Sequence, residues 1–517
     1  MSTIPAAPPL QSVRIAASRH EDASSPAALR APVRVVQALG ALGLLGILTT
    51  VFLVSAGAAS APSQYVPARS GGWPAWLAGP LRGLDIGLSS GGFQTLMLLM
   101  CASYALVLVA ARRLPLAALA GAIVLADVIL LLGPPLISQD VFGYLAFARL
   151  GALHGLDPYT HVAAEAPTDP TYHFIGWPFL HSPYGPLFTL ASYAIAPLGL
   201  AGGLWAFKSI AVLSSLGAVA LIARAAARAG RSPGWAAAFV GLNPVLLVLA
   251  VGGAHNDTLL LLALAAALAL SAHQRTTTAT QAPGRPLSAD ERARPRPGAA
   301  VAALAAGVGV KVTAGLALPF LVLASPRLRE RWQVALNAVL ALAAIAIVGV
   351  IGFGVHGFGF VNAIGEQQQL VATHSIPAET ARLVGLSGTP SWWRHLYLVG
   401  FAVVLLYALW RTARGADWRA AAGWSTIALL ASTAWLLPWY AIWVLPLAAV
   451  SGDRRLRAAT LVLCAYAILI HLPLADPVLS PAKARVVHLD IGVPSLGHRL
   501  ELAGFQVLHD VHVDLRW

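Results

Sequence analysis

The sequence carries little charge. Only 11% of its 517 residues are Asp, Glu, Lys or Arg, whereas 58% are hydrophobic, and the mean hydropathy is +0.72. A soluble domain carries roughly 25% charged residues, and a disordered chain combines low hydrophobicity with high net charge. The composition therefore excludes both classes. What remains is a polytopic membrane protein, in agreement with long apolar runs such as 36–54.

Cysteine is also scarce. Cys101 and Cys464 lie in apolar runs far apart in the chain, which indicates neither a disulfide framework nor a thiolate metal site. The net charge of +13 would suggest nucleic-acid binding in a soluble protein. Here 23 of the 34 lysines and arginines fall in predicted cytoplasmic segments. The excess positive charge is therefore explained by the orientation of the chain in the membrane, and we expect no nucleic-acid partner.

Thirteen apolar segments predict an all-α integral membrane protein, because about 20 apolar residues span the hydrocarbon core and several shorter segments pair as hairpins. The segments are 33–56, 92–111, 117–137, 203–224, 234–251, 257–272, 298–310, 312–325, 333–352, 396–410, 421–437, 440–450 and 457–472. Residues 33–472 form the predicted transmembrane domain. A disordered cytoplasmic tail precedes it at 1–32, and an extracytoplasmic tail follows it at 473–517.

Arginine placement predicts the orientation, since cytoplasmic loops carry an excess of Lys and Arg. Four arginines precede the first segment and place the N-terminus in the cytoplasm. The long loops 57–91, 138–202 and 353–395 then lie on the extracytoplasmic face.

Three pairs of short segments have arginine on both sides, namely 234–272, 298–325 and 421–450. Hairpins satisfy the charge rule, because both flanks then lie in the cytoplasm. Each arm of such a hairpin is only about 20 Å long, so its tip lies below the outer membrane surface. Polar turns at this depth are tolerated only if they line an enclosed cavity. The outward tips are His255-Asn256-Asp257, Lys311 and Pro438-Trp439-Tyr440.

Asp140 follows the third segment and precedes a predicted amphipathic helix over 141–153. A carboxylate at this place can act as a general base toward an acceptor hydroxyl. It can equally cap the helix, since Ser and Asp are favoured N-cap residues and Ser138 is close by. From the spacing alone, both interpretations stay open.

The turn at His255, Asn256 and Asp257 is strongly polar. Asn256 or Asp257 can cap the following helix, but capping does not account for three consecutive polar residues beside Gly252 and Gly253. We therefore expect a ligand contact by His255 or Asp257. A His/Asp pair also admits a metal, but no further ligand spacing supports one, and none is predicted.

Lys311 is the only lysine at a predicted tip. Its ammonium can hold a phosphate as a point charge, or it can snorkel to the membrane interface. The adjacent Thr313 favours a ligand site. Aromatic residues near the tips can stack on sugar faces or form an interfacial belt. These are Tyr184, Trp435, Trp439 and Tyr440.

Other polar residues carry less weight. Asp127 lies about 20 Å along the helix from Asp140, so we expect it to have a structural partner on another helix rather than a share in the site. Lys208 is a further charge within an apolar segment. Minor candidates in the loop 353–395 are His356, Glu366 and His374.

Six motifs follow one another along most of 90–470. They are Ser138-Gln-Asp-Val-Phe-Gly-Tyr-Leu, His154-Gly-Leu-Asp-Pro-Tyr159, Ser182-Pro-Tyr-Gly-Pro-Leu187, Leu242-Asn-Pro244 with Gly253-Ala-His-Asn-Asp257, Lys311-Val-Thr-Ala and Leu437-Pro-Trp-Tyr440. In order and number they resemble the polyprenol-phosphate-mannose-dependent alpha-1,6-mannosyltransferases of actinobacterial lipomannan and lipoarabinomannan assembly, which belong to the GT-C superfamily.

The resemblance implies a GT-C-type bundle in the plasma membrane, a polyprenyl-phosphate-mannose donor and a lipid-linked mannan acceptor, used on the extracytoplasmic face without cofactor or metal. It implies an inverting single displacement with Asp140 as base. In this sequence Asp140 follows the third segment, whereas the base of GT-C enzymes most often follows the first. Lys311 would hold the leaving phosphate. The substrate-binding residues implied are Lys311, His255, Asn256, Asp257, Tyr184, Trp439, Tyr440 and Tyr144.

Two alternatives stay open. A GT-C transferase of another lipid-linked sugar, such as arabinose or glucose, would carry the same motifs. A flippase or transporter of lipid-linked sugars would instead place charges along a route between the two faces, for which Asp127 and Lys208 are the only hints.

Overall fold

The computed structural model describes residues 32–60, 74–271 and 296–470. The predicted tails, apart from residue 32, and part of the first outer loop lie outside the described residues. Within them every regular element is helical, and no β-strand occurs. The prediction of an all-α protein is confirmed.

Eighteen α-helices occur in the described ranges. In chain order they are α1 (Val33–Ser60), α2 (Ala75–Ala78), α3 (Ser90–Ala110), α4 (Leu116–Leu132), α5 (Asp140–His154), α6 (Pro186–Tyr193), α7 (Gly199–Arg228), α8 (Pro233–Gly241), α9 (Asp257–Ser271), α10 (Pro297–Val310), α11 (Leu318–Leu323), α12 (Leu328–Phe353), α13 (Phe360–Gln367), α14 (Ile376–Leu383), α15 (Ser391–Ala413), α16 (Trp418–Ser432), α17 (Leu445–Val450) and α18 (Arg454–Leu469). A π-helix occupies Val245–Val251, and 3-10 helices include Val312–Ala317 and Pro438–Trp443.

Each of the thirteen predicted apolar segments overlaps helical structure within the described residues, but thirteen membrane spans are not confirmed. Within the described part of the chain, five helices are long and apolar enough to cross a membrane by themselves: α1, α3, α7, α12 and α15. α8 and the π-helix add a sixth candidate as a pair bent by 47°. The other apolar helices are shorter, because turns such as the one at Lys311 interrupt them.

The turn at Lys311 has the form that a hairpin requires. Lys311 ends α10 in extended backbone, with φ −152° and ψ 125°. The 3-10 helix Val312–Ala317 and α11 then pack against α10. The chain thus folds back at Lys311 and holds this side chain between two apolar arms.

Helix α5 corrects one expectation. The predicted amphipathic helix is present, but it has no solvated face, because every residue from Val141 to Ala148 is buried. α6, α7 and the short helices of the loop 138–202 pack around it. Tyr144 of α5 therefore faces an enclosed interior, which periodicity alone does not distinguish from water, and only the end of the helix at Ala152–His154 is exposed.

The two charges within apolar helices are both buried. The Nζ of Lys208, on α7, donates to the carbonyl of Leu130 near the end of α4 at 2.9 Å, where helix carbonyls lack partners. Asp127, on α4, faces Ser215 of α7, although neither side chain makes a well-aligned hydrogen bond with a described residue. Both side chains lie between α4 and α7 with at most 1% exposure, and Lys208 joins the two helices through its hydrogen bond.

Candidate active site

Two turns bring the start of α5 to the tip that carries His255. The N–H of Leu136 donates to the carbonyl of Gly252 at 2.9 Å. Ile137 and Ala254 beside this bond have positive φ, 68° and 55°. For residues other than glycine this conformation costs roughly 1–3 kcal/mol, and such strain concentrates at functional sites. The backbone itself therefore points to a functional role for this junction.

Asp140 begins α5, but its side chain does not cap the helix. The Oγ of Ser138 accepts the N–H of Asp140 at 3.1 Å. The Asp140 carboxylate, 18% exposed, turns toward the neighbouring tip, where its Oδ2 lies 3.3 Å from Nδ1 of His255. The geometry speaks against the capping interpretation and leaves the carboxylate facing the site.

His255 is fully buried, and its ring stacks on Trp439 with centroids 3.8 Å apart and planes 23° apart. The contact with Asp140 is close enough for an ion pair but is not aligned as a hydrogen bond. Four buried nitrogens of this cluster make no aligned hydrogen bond with a described residue: both of His255, Nδ2 of Asn256 and Nε1 of Trp439. Buried polar atoms are nearly always bonded, so this cluster indicates a polar ligand.

Lys311 and Asp257 form a second pair in the same region. The Nζ of Lys311 donates to both oxygens of Asp257, at 2.9 and 3.1 Å. The Nε1 of Trp443 donates to Oδ1 of Asp257 at 2.7 Å. The ammonium also lies 4.4 Å from the ring centroid of Tyr440 and 5.2 Å from that of Trp443, a cation–π arrangement. Asp257 is 1% exposed, so it holds the ammonium in place.

Tyrosines connect the two pairs. The Tyr144 hydroxyl, on α5, donates to Oδ1 of Asn256 and accepts its backbone N–H, both at 3.3 Å. Tyr184 packs edge-on against Tyr144 with centroids 5.0 Å apart. Burial and, next, the Asp140 carboxylate raise the pKa of Tyr184 well above its ordinary value. Tyr184 thus stays protonated and can donate a hydrogen bond near Asp140.

A small apolar groove, with a cavity volume of about 20 Å³, adjoins the Lys311 side. Trp443 belongs to its wall and also donates to Asp257, so the groove and the polar pair share this residue. α9, the 3-10 helix after Lys311, α16 and α17 supply the other lining residues. Those used below are Leu260, Leu264, Ala317 and Leu447.

The structure brings all nine predicted site residues to one region. These are Asp140, Tyr144, Tyr184, His255, Asn256, Asp257, Lys311, Trp439 and Tyr440. Sequence reasoning missed Trp443. The available signal was its position three residues after Tyr440, which places the two rings on one helical face, where they stack with centroids 4.4 Å apart.

The minor candidates lie in other pairs. His356 is 3.3 Å from Asp157, Glu366 accepts from His181 at 2.8 Å, and His374 pairs with Glu379 at 2.6 Å. These contacts connect parts of the outer loops. Within the described ranges, no three His, Cys, Asp or Glu side chains are grouped as metal ligands.

Comparison with known proteins assigns the family. The family described as alpha-(1->6)-mannopyranosyltransferase, N-terminal domain, matches residues 39–327, more than half of the chain. This range contains Asp140, the His255 tip and Lys311. No solved structure matches the protein.

Individual relatives agree. Alpha-(1->6)-mannopyranosyltransferase A of Mycobacterium tuberculosis is 27% identical over 374 residues, which cover 66% of this chain and 67% of that protein. A probable alpha-(1->6)-mannopyranosyltransferase of Mycolicibacterium smegmatis is 34% identical over 158 residues, 29% of this chain and 28% of its own length. Alpha-(1->6)-mannopyranosyltransferase B of Corynebacterium glutamicum is 31% identical over 146 residues, covering 26% and 23%.

The shorter matches span only about a quarter of those relatives, whereas the family match spans both polar pairs of the site. The resemblance carried by the six motifs is thereby confirmed. The chain belongs to the alpha-(1->6)-mannopyranosyltransferase family and is a membrane mannosyltransferase.

Proposed function

We propose that the enzyme transfers mannose from polyprenyl-phosphate-mannose to an alpha-1,6-mannan acceptor of the lipomannan type, on the extracytoplasmic face and with inversion at the anomeric carbon. The observation that carries the proposal is the division of the site. One side offers a carboxylate beside unsatisfied polar atoms, and the other offers a cation beside an apolar groove.

The carboxylate side fits the acceptor. Asp140 takes the proton of the acceptor 6-hydroxyl as its oxygen attacks the anomeric carbon of the donor. The bond between that carbon and the phosphate oxygen breaks, and its electron pair stays on the phosphate. A single displacement of this kind inverts the configuration, so a beta-linked donor gives an alpha-linked product. General-base assistance is typically worth about 100- to 10,000-fold in rate.

The cation side fits the donor phosphate. Lys311 has three N–H groups, and Asp257 accepts from the ammonium in a geometry that leaves one N–H for a phosphate oxygen. A fixed positive charge at the leaving group stabilises the charge that develops there. Asp257 and Trp443 therefore position Lys311 rather than bind the sugar.

The groove beside Trp443 lies where we expect the polyprenyl chain to leave the donor phosphate. Leu260, Leu264, Ala317 and Leu447 give it an apolar wall, which suits a hydrocarbon chain. A flippase or transporter gains no support from the two charges that suggested it, because Asp127 and Lys208 are buried between α4 and α7.

The test is a transfer assay with purified full-length protein, labelled polyprenyl-phosphate-mannose and short alpha-1,6-mannosides. We expect elongated mannosides, and linkage analysis should find the new bond to be alpha-1,6. Polyprenyl-phosphate-arabinose and polyprenyl-phosphate-glucose serve as matched donors. Efficient transfer from either of these, with none from the mannose donor, would replace mannose by that sugar.

The face of the reaction is tested separately. In sealed right-side-out vesicles, a membrane-impermeant mannoside acceptor should be elongated without detergent. Elongation only in inverted vesicles would place the site on the cytoplasmic face.

A further inference from the structure

We propose that His255 is a positioning residue for Asp140. The Nδ1–H of His255 holds Oδ2 of the carboxylate, so that the other oxygen faces the acceptor hydroxyl. This inference rests on the proposed function, in which Asp140 is the base.

The imidazole is fixed from several sides. Its face stacks on Trp439 at 3.8 Å, and it has no exposed surface. Gly253 lies against its edge, since a Cβ added at Gly253 would come within 2.6 Å of Cδ2 and 2.7 Å of Nε2. Ala254, immediately before His255, has φ 55°. A packed ring on a strained turn has one available orientation, as a residue that orients a catalytic group requires.

The Asp140 carboxylate has few other restraints. His255 is its one ion-pair partner within the described residues. The other charged groups of the site are occupied elsewhere, because Asp257 accepts from Lys311 and Trp443. Without His255, Asp140 would rotate about its side-chain bonds and spend less time facing the acceptor. A misplacement of about 1 Å at a reacting group can lower the rate by roughly 100-fold.

The positioning role requires that Nδ1 of His255 carries a proton. When Nδ1 carries the proton that faces Asp140, Nε2 is an acceptor. The unsatisfied Nε1–H of Trp439 is a donor at the same stack. Nε2 and this N–H are both buried, so the stack holds one donor and one acceptor that the described residues leave without an aligned hydrogen bond.

Three substitutions separate positioning from packing, because each keeps a different part of the imidazole. His255→Asn keeps an N–H at the same bond separation from Cβ as Nδ1. His255→Gln places its amide at the separation of Nε2, and His255→Phe keeps the aromatic stack on Trp439 alone. We expect His255→Asn to retain kcat within about threefold, whereas His255→Gln and His255→Phe lose about 10- to 100-fold. KM for the mannose donor should change little.

If His255 only packed against Trp439, the order of the kcat values of the three variants would be reversed. In that case His255→Phe would be the most active variant, since it preserves the stack, and this result would overturn the proposal. The variants are compared per folded molecule, using thermal unfolding in detergent.

Gly253→Ala gives a second test of the positioning role, because its methyl group pushes on the imidazole without removing it. It should lower kcat as His255→Phe does, and an unchanged kcat would count against the positioning role.

A double variant distinguishes this inference from the proposed function. If His255 acts through Asp140, Asp140→Asn combined with His255→Phe should be no slower than Asp140→Asn alone. Full additivity of the two losses would overturn the inference while leaving Asp140 as base. An Asp140→Asn variant with near-normal activity would instead reject the base itself.

Discussion

The two acidic residues of the site are held in opposite ways. Asp257 is 1% exposed and accepts three hydrogen bonds, two from Lys311 and one from Trp443. Asp140 is 18% exposed and has one poorly aligned contact with His255. A carboxylate whose bonds are complete within the protein stabilises the structure, whereas one with free capacity can bind and accept a proton. The difference supports a structural role for Asp257 and agrees with the base that we propose at Asp140.

The free space near Asp140 also differs from that near the Lys311–Asp257 pair. Gly143 lies one helical turn after Asp140 on α5 and is buried, yet a Cβ added there would meet no described atom within 4 Å. On the Lys311 arm, a Cβ added at Gly309 would come within 2.6 Å of Leu187. There is therefore open space at Gly143 beside Asp140, whereas the helix before Lys311 is closely packed at Gly309.

The largest effect is expected at Asp140. Asp140→Asn removes the proton acceptor but keeps the size of the side chain, so the rate of mannosyl transfer should fall at least about 100-fold. The thermal unfolding temperature should stay near that of the wild type, because no aligned hydrogen bond is lost. Steady-state kinetics and thermal unfolding in detergent measure both. A large loss of stability would instead give Asp140 the structural role assigned to Asp257.

Substitution of Asp257, the partner of Lys311, should mainly lower the stability of the protein. Asp257→Asn leaves the Lys311 ammonium without its counter-charge, and breaking one partner of a buried ion pair costs about 3–5 kcal/mol. Chemical unfolding should show this loss for Asp257→Asn. The double variant Asp257→Asn with Lys311→Met should recover much of the stability but not the donor turnover. Recovery of turnover would refute a phosphate role for Lys311.

Gly143 tests the space beside Asp140. Gly143→Leu fills this space, and overfilling costs roughly 1–3 kcal/mol. If the acceptor occupies this space, that cost corresponds to a rise of about 5- to 150-fold in its KM. The matched control Gly143→Ala adds one methyl group into open space, so its KM should stay near the wild-type value. Equal KM values for all three proteins would show that the acceptor lies elsewhere.

The smallest effect is expected at a carboxylate outside the site. Asp169, 6% exposed, lies in the outer loop and accepts from Arg149, His154 and Thr171. Burial raises its pKa, but these hydrogen bonds outweigh burial and hold the pKa well below its ordinary value. Its contribution to stability is therefore present above the unfolded-state pKa of about 4 and is lost as pH falls toward the lower folded-state pKa.

The substitution Asp169→Asn isolates this contribution. At pH 7 the variant should be less stable than the wild type by about 1–3 kcal/mol, and the difference should shrink as pH falls below about 4. Unfolding measured across this pH range checks the prediction. A difference that grows toward low pH would show that the hydrogen bonds do not favour the ionised carboxylate.

Local features of the sequence predicted much of the fold and the members of the site. Apolar runs located the helices, and arginine placement located the turns at Lys311 and His255. The polar side chains at those turns had few explanations other than a shared site. The number of spans could not be predicted, because helices such as α10 are too short for length to decide whether they cross the membrane.

Long-range contacts could not be predicted. No pattern in the sequence indicates that Asp257 is bonded to Lys311, 54 residues away, or to Trp443, 186 residues away. The sequence also predicted an amphipathic helix over 141–153, although neighbouring elements bury this helix from Val141 to Ala148. Periodicity records which faces differ in polarity, but it does not record what covers them.

The most direct measurement is the rate of mannosyl transfer from labelled polyprenyl-phosphate-mannose by the wild type and by Asp140→Asn, under single-turnover conditions and with the product linkage determined. We predict an alpha-1,6-linked product from the wild type and a rate at least about 100-fold lower for the variant. Near-equal rates for the two proteins, with the same product, would contradict the assignment of Asp140 as the base.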